Sequence, residues 1–237
     1  MYGISHKLRM EVNNAIYLKD PASSDLGRRI ISGGIDLIAA IGFDELTFRK
    51  LAKHIQSTEA SIYRYFENKY MLLIYLTAWY WGWMEYQLTL AIANVPSPEQ
   101  RLYNAIKLLT EQVSEGNSFG YIDQVKLHSI IISESSKSYL IKKVDQINQE
   151  GAYLGYKQCV GIVSDIVLEI NKDFQYPHML ISTVIEGAHL QRYFIEHLPR
   201  LSDNITGEDS VVQFYLSMVF STIQPECKHS FNLADFK

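Results

Sequence analysis

Apolar residues recur at three- and four-residue spacing along most of the chain, the period of a helix with one buried side, and no stretch alternates as a half-buried strand does. The first clear stripe is Ile30, Ile31, Ile35, Leu37 and Ile38; Ser24 or Asp25 caps its start and Gly42 ends it. A second, shorter stripe sets Leu51 against Ile55 behind Thr47, whose hydroxyl can accept from an orphan backbone N–H. Between them Ala52 is small enough to admit a crossing helix. Gln56 and Ser57 interrupt the pattern, and Thr58 then caps a further helix with Ile62 and Phe66 inside and Tyr65 beside them. On a wheel of roughly 100° per residue, Ala60, Tyr63 and Arg64 face the other way, with Glu59 and Ser61 at the margins. Small residues followed by an arginine suit a helix entering a major groove end-on, where the guanidinium can bond a guanine edge or a phosphate. The plainer reading of the same two stripes is an αα-hairpin that only packs.

Downstream, Asn68 caps a long helix from about Lys69 to Asn94 that carries Tyr75, Trp79, Tyr80, Trp81, Trp83 and Tyr86. Apolar residues surround it, so it is expected to lie deep. A membrane span needs roughly 20 apolar residues; Glu85 and Gln87 interrupt this run, and no span is expected. Pro96 and Pro98 mark a break before a helix reaching about Glu115. After the loop 116–120, helices are expected from about Ile122 to Ser135 and, as one long element, from about Tyr139 to Asn171, with Gly151 and Gly155 inside it. Two more follow, from Tyr176-Pro177 to about Pro199 and from Thr206-Gly-Glu-Asp209 to about Ile223. Ahead of all this, residues 1–25 form an arm with a weak stripe that predicts a short helix from Ile4 to Leu18, free to pack on the body or to reach DNA with Lys7, Arg9 and Lys19. The pattern predicts an all-α protein in four parts: the arm 1–25, a three-helix head 26–68, a helical body 69–225 and a tail 226–237.

Composition adds little to this picture except through charge. The net charge of the 237 residues is −4, but residues 1–70 carry +2 and the remainder −6, a basic head on an acidic body. Cys159 and Cys227 stand far apart with no paired spacing, which predicts free thiols in a reducing cytosol. The N-terminus shows no apolar segment of a signal peptide, so a cytoplasmic location is expected. No nucleophile elbow, phosphate loop or dinucleotide fingerprint is present, which leaves an enzyme no machinery to build on and no cofactor to hold. Glu186-x-x-His189 has the spacing of a di-iron bundle ligand pair but lacks the second pair such a site needs, so no metal is expected.

The stretch from about Gly27 to Leu76 resembles the DNA-binding domain of the TetR family of bacterial repressors. The likeness is carried by the Gly42-Phe43 break, the Thr47-x-x-x-Leu51-Ala52 start of the second helix, and Ile62-Tyr63-Arg64-Tyr65-Phe66 followed by Lys69. Gln56 stands where the family has a turn glycine, Ser57 where it has a small aliphatic residue, and Glu59 where a basic residue is frequent. The resemblance implies a regulator, most simply a repressor, whose homodimer addresses a palindromic operator of double-stranded DNA. Thr47, Tyr63 and Lys69 match its phosphate-contacting positions. Ala60, Ser61 and Arg64 are the candidates for base readout, and Arg49 and Thr58 complete the candidate DNA-binding set. It also implies dimerisation through the helices at about 177–198 and 207–223, and a small-molecule inducer held in the body. Trp83, Tyr86, Tyr103, Phe119, His128, Tyr153 and Tyr156 are the candidate pocket residues, or else ordinary core. The alternative is a helical ligand-binding or scaffold protein that has lost sequence-specific DNA binding, as Gln56, Ser57 and Glu59 would permit.

Overall fold

The computed structural model describes residues 10–114, 120–134, 136–139 and 142–224. Their regular elements are helices, and no strand is formed among the described residues. The head contains α1 (Asp25–Ile41), α2 (Phe48–His54) and α3 (Glu59–Tyr63). After it come α4 (Lys69–Ile92), α5 (Pro98–Thr110), α6 (Gln124–Glu134), α7 (Ser136–Tyr139), α8 (Val144–Gln149), α9 (Leu154–Ile170), α10 (Pro177–His197) and α11 (Ser210–Ile223). By internal contacts the chain divides into two units: residues 1–86 with 112–159, and residues 87–111 with 160–237. The first unit therefore unites the head with α6 to α8, whereas the sequence pattern suggested a boundary at 68/69.

The three head helices start as their caps predict. Ser24 Oγ accepts from the Gly27 N–H, Thr47 Oγ1 from Lys50 and Thr58 Oγ1 from Ser61. Gly42 ends α1 at φ 78° and gives its N–H to Ile38. Ile30, Ile31, Ile35, Ile38, Leu51, Ile55, Ile62 and Phe66 form the head core. Leu37, expected inside, is only half-buried. Helix α1 lies close against α2 because Gly33 has no side chain: a Cβ there would sit 2.3 Å from Ile55 Cγ2. In the turn, Gln56 takes the left-handed φ of 52° that the family gives to glycine.

The loop after α1 is bolted to α6 and α7. The Phe43 N–H donates to Glu134 Oε1 at 3.3 Å in a buried bond. Lys137 reaches Asp44 and Glu134, each at 2.8 Å. Burial works against that ammonium, but the two carboxylates outweigh it and hold its pKa above the usual lysine value. Lys126 pairs with Asp36 of α1 at 2.6 Å.

Two expected elements differ. The helix expected from 139 to 171 is broken into α7, α8 and α9; Gly151 turns left-handed at φ 79° after α8, so the backbone cannot run through. In the described part of the arm, the helix expected up to Leu18 is a single 3-10 turn at Asn14–Ile16, with a second at Pro21–Ser23. Ile16 is buried, and the Leu18 N–H donates to the Tyr65 carbonyl at 2.8 Å, so this part of the arm packs. Lys7, Arg9, Phe119 and Cys227 lie outside the described residues.

In the second unit, Arg192 of α10 gives Nε and Nη2 to the Thr110 carbonyl at 3.1 and 2.6 Å, and Nη2 also meets Asp209 at 2.7 Å. This one guanidinium ties α10 to the end of α5 and to the cap of α11. Gly187 permits α11 to approach, since a Cβ there would lie 2.2 Å from Tyr215 Oη. His189 is buried rather than at a helix surface, and burial holds its pKa down at about 4 against an opposing pull from Glu186. Among the described residues no group of three or more His, Cys, Asp and Glu side chains is placed to hold a metal. No described helix is long and apolar enough to cross a membrane.

Two stability predictions come from these positions. Gln56→Gly should stabilise the protein by about 0.5–1 kcal/mol in urea denaturation, because relief of the left-handed strain exceeds glycine's added chain entropy; a loss of stability would contradict it. His189 is neutral when folded, while the unfolded imidazole takes up a proton near its ordinary value of 6.5. The unfolded state thus binds more protons below that pH, and stability falls as pH drops from 6.5 towards 4. The expected loss is about 1.4 kcal/mol per pH unit, and His189→Leu should flatten the slope measured between pH 7 and 5.5.

Candidate nucleic-acid interface

Helix α3 is short, and its faces separate sharply. Ile62 and, just beyond the helix, Tyr65 and Phe66 are buried, whereas Thr58, Glu59, Ala60 and Arg64 are exposed. Ser61 is half-buried and central to a small hydroxyl relay: its Oγ lies 2.8 Å from Thr58 Oγ1 and accepts from Arg64 Nη2 at 3.1 Å. Ser61 therefore aims the arginine, a role its place at the margin of the wheel did not reveal. Tyr63 is 48% exposed and stands with its ring edge-on to Phe48 at 5.0 Å, which fixes the ring and leaves its hydroxyl end outward. Thr47, Arg49 and Lys50 are exposed at the start of α2. Lys50 is engaged by Glu45 at 2.9 Å, a hydrogen bond that also holds the Glu45 carboxyl below its usual pKa.

Lys69 is placed differently from the other candidates. Its Nζ donates to the carbonyls of Phe43 and Asp44 at 3.0 and 2.9 Å, and lies 4.8 Å from the centre of the Phe43 ring. It closes the loop after α1 and is half-buried there, so it is not brought together with Ala60 and Arg64. Arg28 and Arg29, near the start of α1, donate to the carbonyls of Ala22 and Ile55. Arg29 thereby anchors the residue just before the Gln56 turn.

Sequence reasoning missed what holds the exit of α3. Tyr65 Oη lies 2.7 Å from Ser24 Oγ, its carbonyl receives the Leu18 N–H, and the Lys19 ammonium sits 5.1 Å over its ring. No periodicity marks these contacts, because they join residues more than forty positions apart.

Of the six described aromatic and histidine candidates for a ligand pocket, Trp83, His128 and Tyr156 join one cluster of rings through Tyr80 and Trp81. His128 Nδ1 lies 2.8 Å from Tyr80 Oη, Tyr156 stacks on Trp81 at 4.3 Å, and the Tyr153 hydroxyl donates to the Ser138 carbonyl. Trp83 is buried, Tyr86 half-buried, and Tyr103 is 41% exposed on α5. A cavity of about 570 Å³ does open in the first unit, but it is bounded by other residues of the arm, of α4 and of the segment 151–158. Cys159 is buried and burial pushes its thiol up to about 12, so it is protonated and unreactive at neutral pH.

Residues 30–76 match the family model of bacterial regulatory proteins of the tetR family. No curated protein matches the chain. Among solved structures, the chain is similar in fold to the superantigen PfiT, with a TM-score of 0.55, 14% identity, and 86% of this chain and 97% of that one covered. It is also similar to AibR in complex with isovaleryl coenzyme A and operator DNA, at TM-score 0.53 and 16% identity, over 82% of this chain and 97% of that one. A third is the fatty acid degradation regulator FadR from Bacillus halodurans, at TM-score 0.52 and 12% identity, over 85% and 95%. The structural likenesses establish the helical architecture, and the match over the head establishes its kind. With a capped helix-turn-helix whose polar side faces outward, the head over residues 30–76 is a domain of the tetR family of bacterial regulatory proteins.

Proposed function

We propose that the protein is a transcriptional repressor that binds a palindromic operator as a homodimer and is released by a small molecule. The observation that carries this reading is the outward side of α3, where Ala60 leaves room for a base edge and Ser61 holds the exposed Arg64 guanidinium. Two such heads on a two-fold axis would address half-sites about one helical turn (~34 Å) apart. AibR, similar in fold, binds both operator DNA and a small-molecule ligand, which supports the pairing of the two activities here. The left-handed φ of Gln56 supports DNA reading over a scaffold that has lost it, since the turn is kept despite the missing glycine.

For the dimer, Met179 and Leu190 on α10 and Phe214 on α11 are exposed by 68%, 52% and 58%. Large apolar side chains on the two final helices suit burial against a second copy.

The test of DNA reading is a gel shift with the DNA flanking the protein's own coding region. Arg64→Ala should cost about 1–3 kcal/mol on the specific site and relax its specificity. Lys69→Ala should lower the melting temperature, because the Phe43 and Asp44 carbonyls lose their donor, and weaken binding evenly across sequences only through that loss of structure. Equal operator binding by the Arg64 variant would remove that residue from the reading side. Replacing Leu190 and Phe214 together with glutamate should give a monomer by light scattering and abolish the shift; a dimer would rule that surface out.

A further inference from the structure

The outward side of α3 carries a charge of the wrong sign for a polyanion. Glu59 is exposed next to Ala60, in the first turn of the helix. Among the described residues no hydrogen bond or ion pair engages its carboxylate. The backbone that carries it is fixed, because Thr58 Oγ1 accepts from the Ser61 N–H at 3.3 Å and lies 2.8 Å from Ser61 Oγ.

Glu59 and Tyr63 are four residues apart and both exposed, and so are Ala60 and Arg64. Residues at that spacing are neighbours along a helix. The outward side therefore has two adjacent rows, Glu59 with Tyr63 and Ala60 with Arg64. The Arg64 guanidinium donates to Ser61 Oγ at 3.1 Å and leaves the carboxylate to its own devices. The Tyr63 ring is held edge-on to Phe48 at 5.0 Å.

A carboxylate facing DNA has few partners. Ionised, it accepts hydrogen bonds and donates none, and every phosphate repels it. In the major groove guanine N7 and O6, adenine N7 and thymine O4 are acceptors too. The donors there are the amino groups at cytosine N4 and adenine N6. Adenine sets N7 beside its amino group, so a second carboxylate oxygen meets a lone pair. Cytosine has no acceptor on its own major-groove edge, and it is the base a carboxylate fits.

We infer that Glu59 is a specificity-determining residue that selects a cytosine in each half-site by accepting from its N4 amino group. The inference rests on the reading of α3 as the DNA-reading helix. The same charge also discriminates against other DNA. Exposed Arg49 and Lys53 at α2 offer attraction to phosphates, which every sequence presents equally. Glu59 subtracts from that attraction unless the right base answers it. On any other base the carboxylate loses water without gaining a donor, which costs affinity. One side chain thus widens the ratio of specific to non-specific binding from both ends.

The test is selection of duplexes from a random-sequence library by the full chain, as wild type, Glu59→Gln and Glu59→Ala. Fluorescence-anisotropy titrations of the selected duplex and of versions changed at one base pair follow. The wild type should select a site with cytosine at one fixed position of each half. Replacing that pair with T·A puts an acceptor where N4 was and should weaken binding on the order of tenfold. Glu59→Gln should move the preference at that position to adenine, whose N6 and N7 match an amide. Glu59→Ala should bind the cytosine and thymine duplexes alike, and an unrelated duplex more tightly than the wild type does. Its circular dichroism should be unchanged, since the side chain is exposed. A selected site that is the same for all three proteins, or one without a fixed cytosine, overturns the inference and leaves α3 standing as the reading helix. Failure of the wild type to select any site defeats the DNA reading itself, and the role of Glu59 falls with it.

Discussion

Helix α4 is apolar on every side, and that constraint organises the first unit. Most helices bury one stripe and leave the rest to water. Here the buried residues run Leu72 to Thr77, then Trp79 to Trp81, Trp83 and Met84, with no polar face left to present. Each flank must find a cover. The head provides one, with Leu72 against Gly34 and Tyr75 against Phe66 at 5.5 Å. The arm provides another through Tyr17, α6 provides His128, and α9 closes down through the Gly155 contact with Gly82 and Trp81. The described arm, the head, α6 to α8 and the start of α9 belong to one compact unit because one helix requires all of them.

That arrangement decides which charged groups serve structure and which remain for a partner. Lys69, Arg28 and Arg29 all donate to backbone carbonyls at the ends of neighbouring segments. A carbonyl left behind by a helix end or a loop needs a donor, and a long basic side chain nearby supplies it. Arg64 has no such duty. It donates to the side chain of Ser61, one turn away on an exposed surface, which orients the guanidinium without hiding it. The division of labour among cations follows from which backbone groups the fold leaves unsatisfied.

The loop after α1 shows the same economy in one place. Glu134 takes the Phe43 N–H, Lys137 joins Asp44 and Glu134, and Lys69 takes the Phe43 and Asp44 carbonyls. Head and α6–α7 thus share a polar clamp around a buried ring. Its members come from three separate stretches of sequence, and Asp44, Glu134 and Lys137 are part of no motif that the sequence shows.

Several features were legible in the residues alone because their causes are local. Cap hydroxyls at Ser24, Thr47 and Thr58, the stop at Gly42 and the two-sided character of α3 depend on neighbours three or four positions away, and each is found where the pattern places it. The outward position of Ala60 and Arg64 follows from the buried position of Ile62 and Phe66 by helical geometry. The family resemblance rests on this local grammar and covers the head for the same reason. Other features depend on contacts between distant residues, and periodicity carries no signal for them. The described part of the arm packs because Tyr65 and Tyr75 await it; the expected helix from 139 to 171 breaks because Gly151 turns where Asn13 comes close. Several aromatic residues of the body satisfy one another in one cluster around Tyr80 and Trp81, while the cavity opens over a glycine that sequence spacing could not single out. The sequence by itself determined the helices, their ends and the side of α3 that faces outward. Only the tertiary structure decided where Lys69 points, what the arm does and where a ligand has room, because those depend on which remote backbone groups and side chains come within a few ångströms.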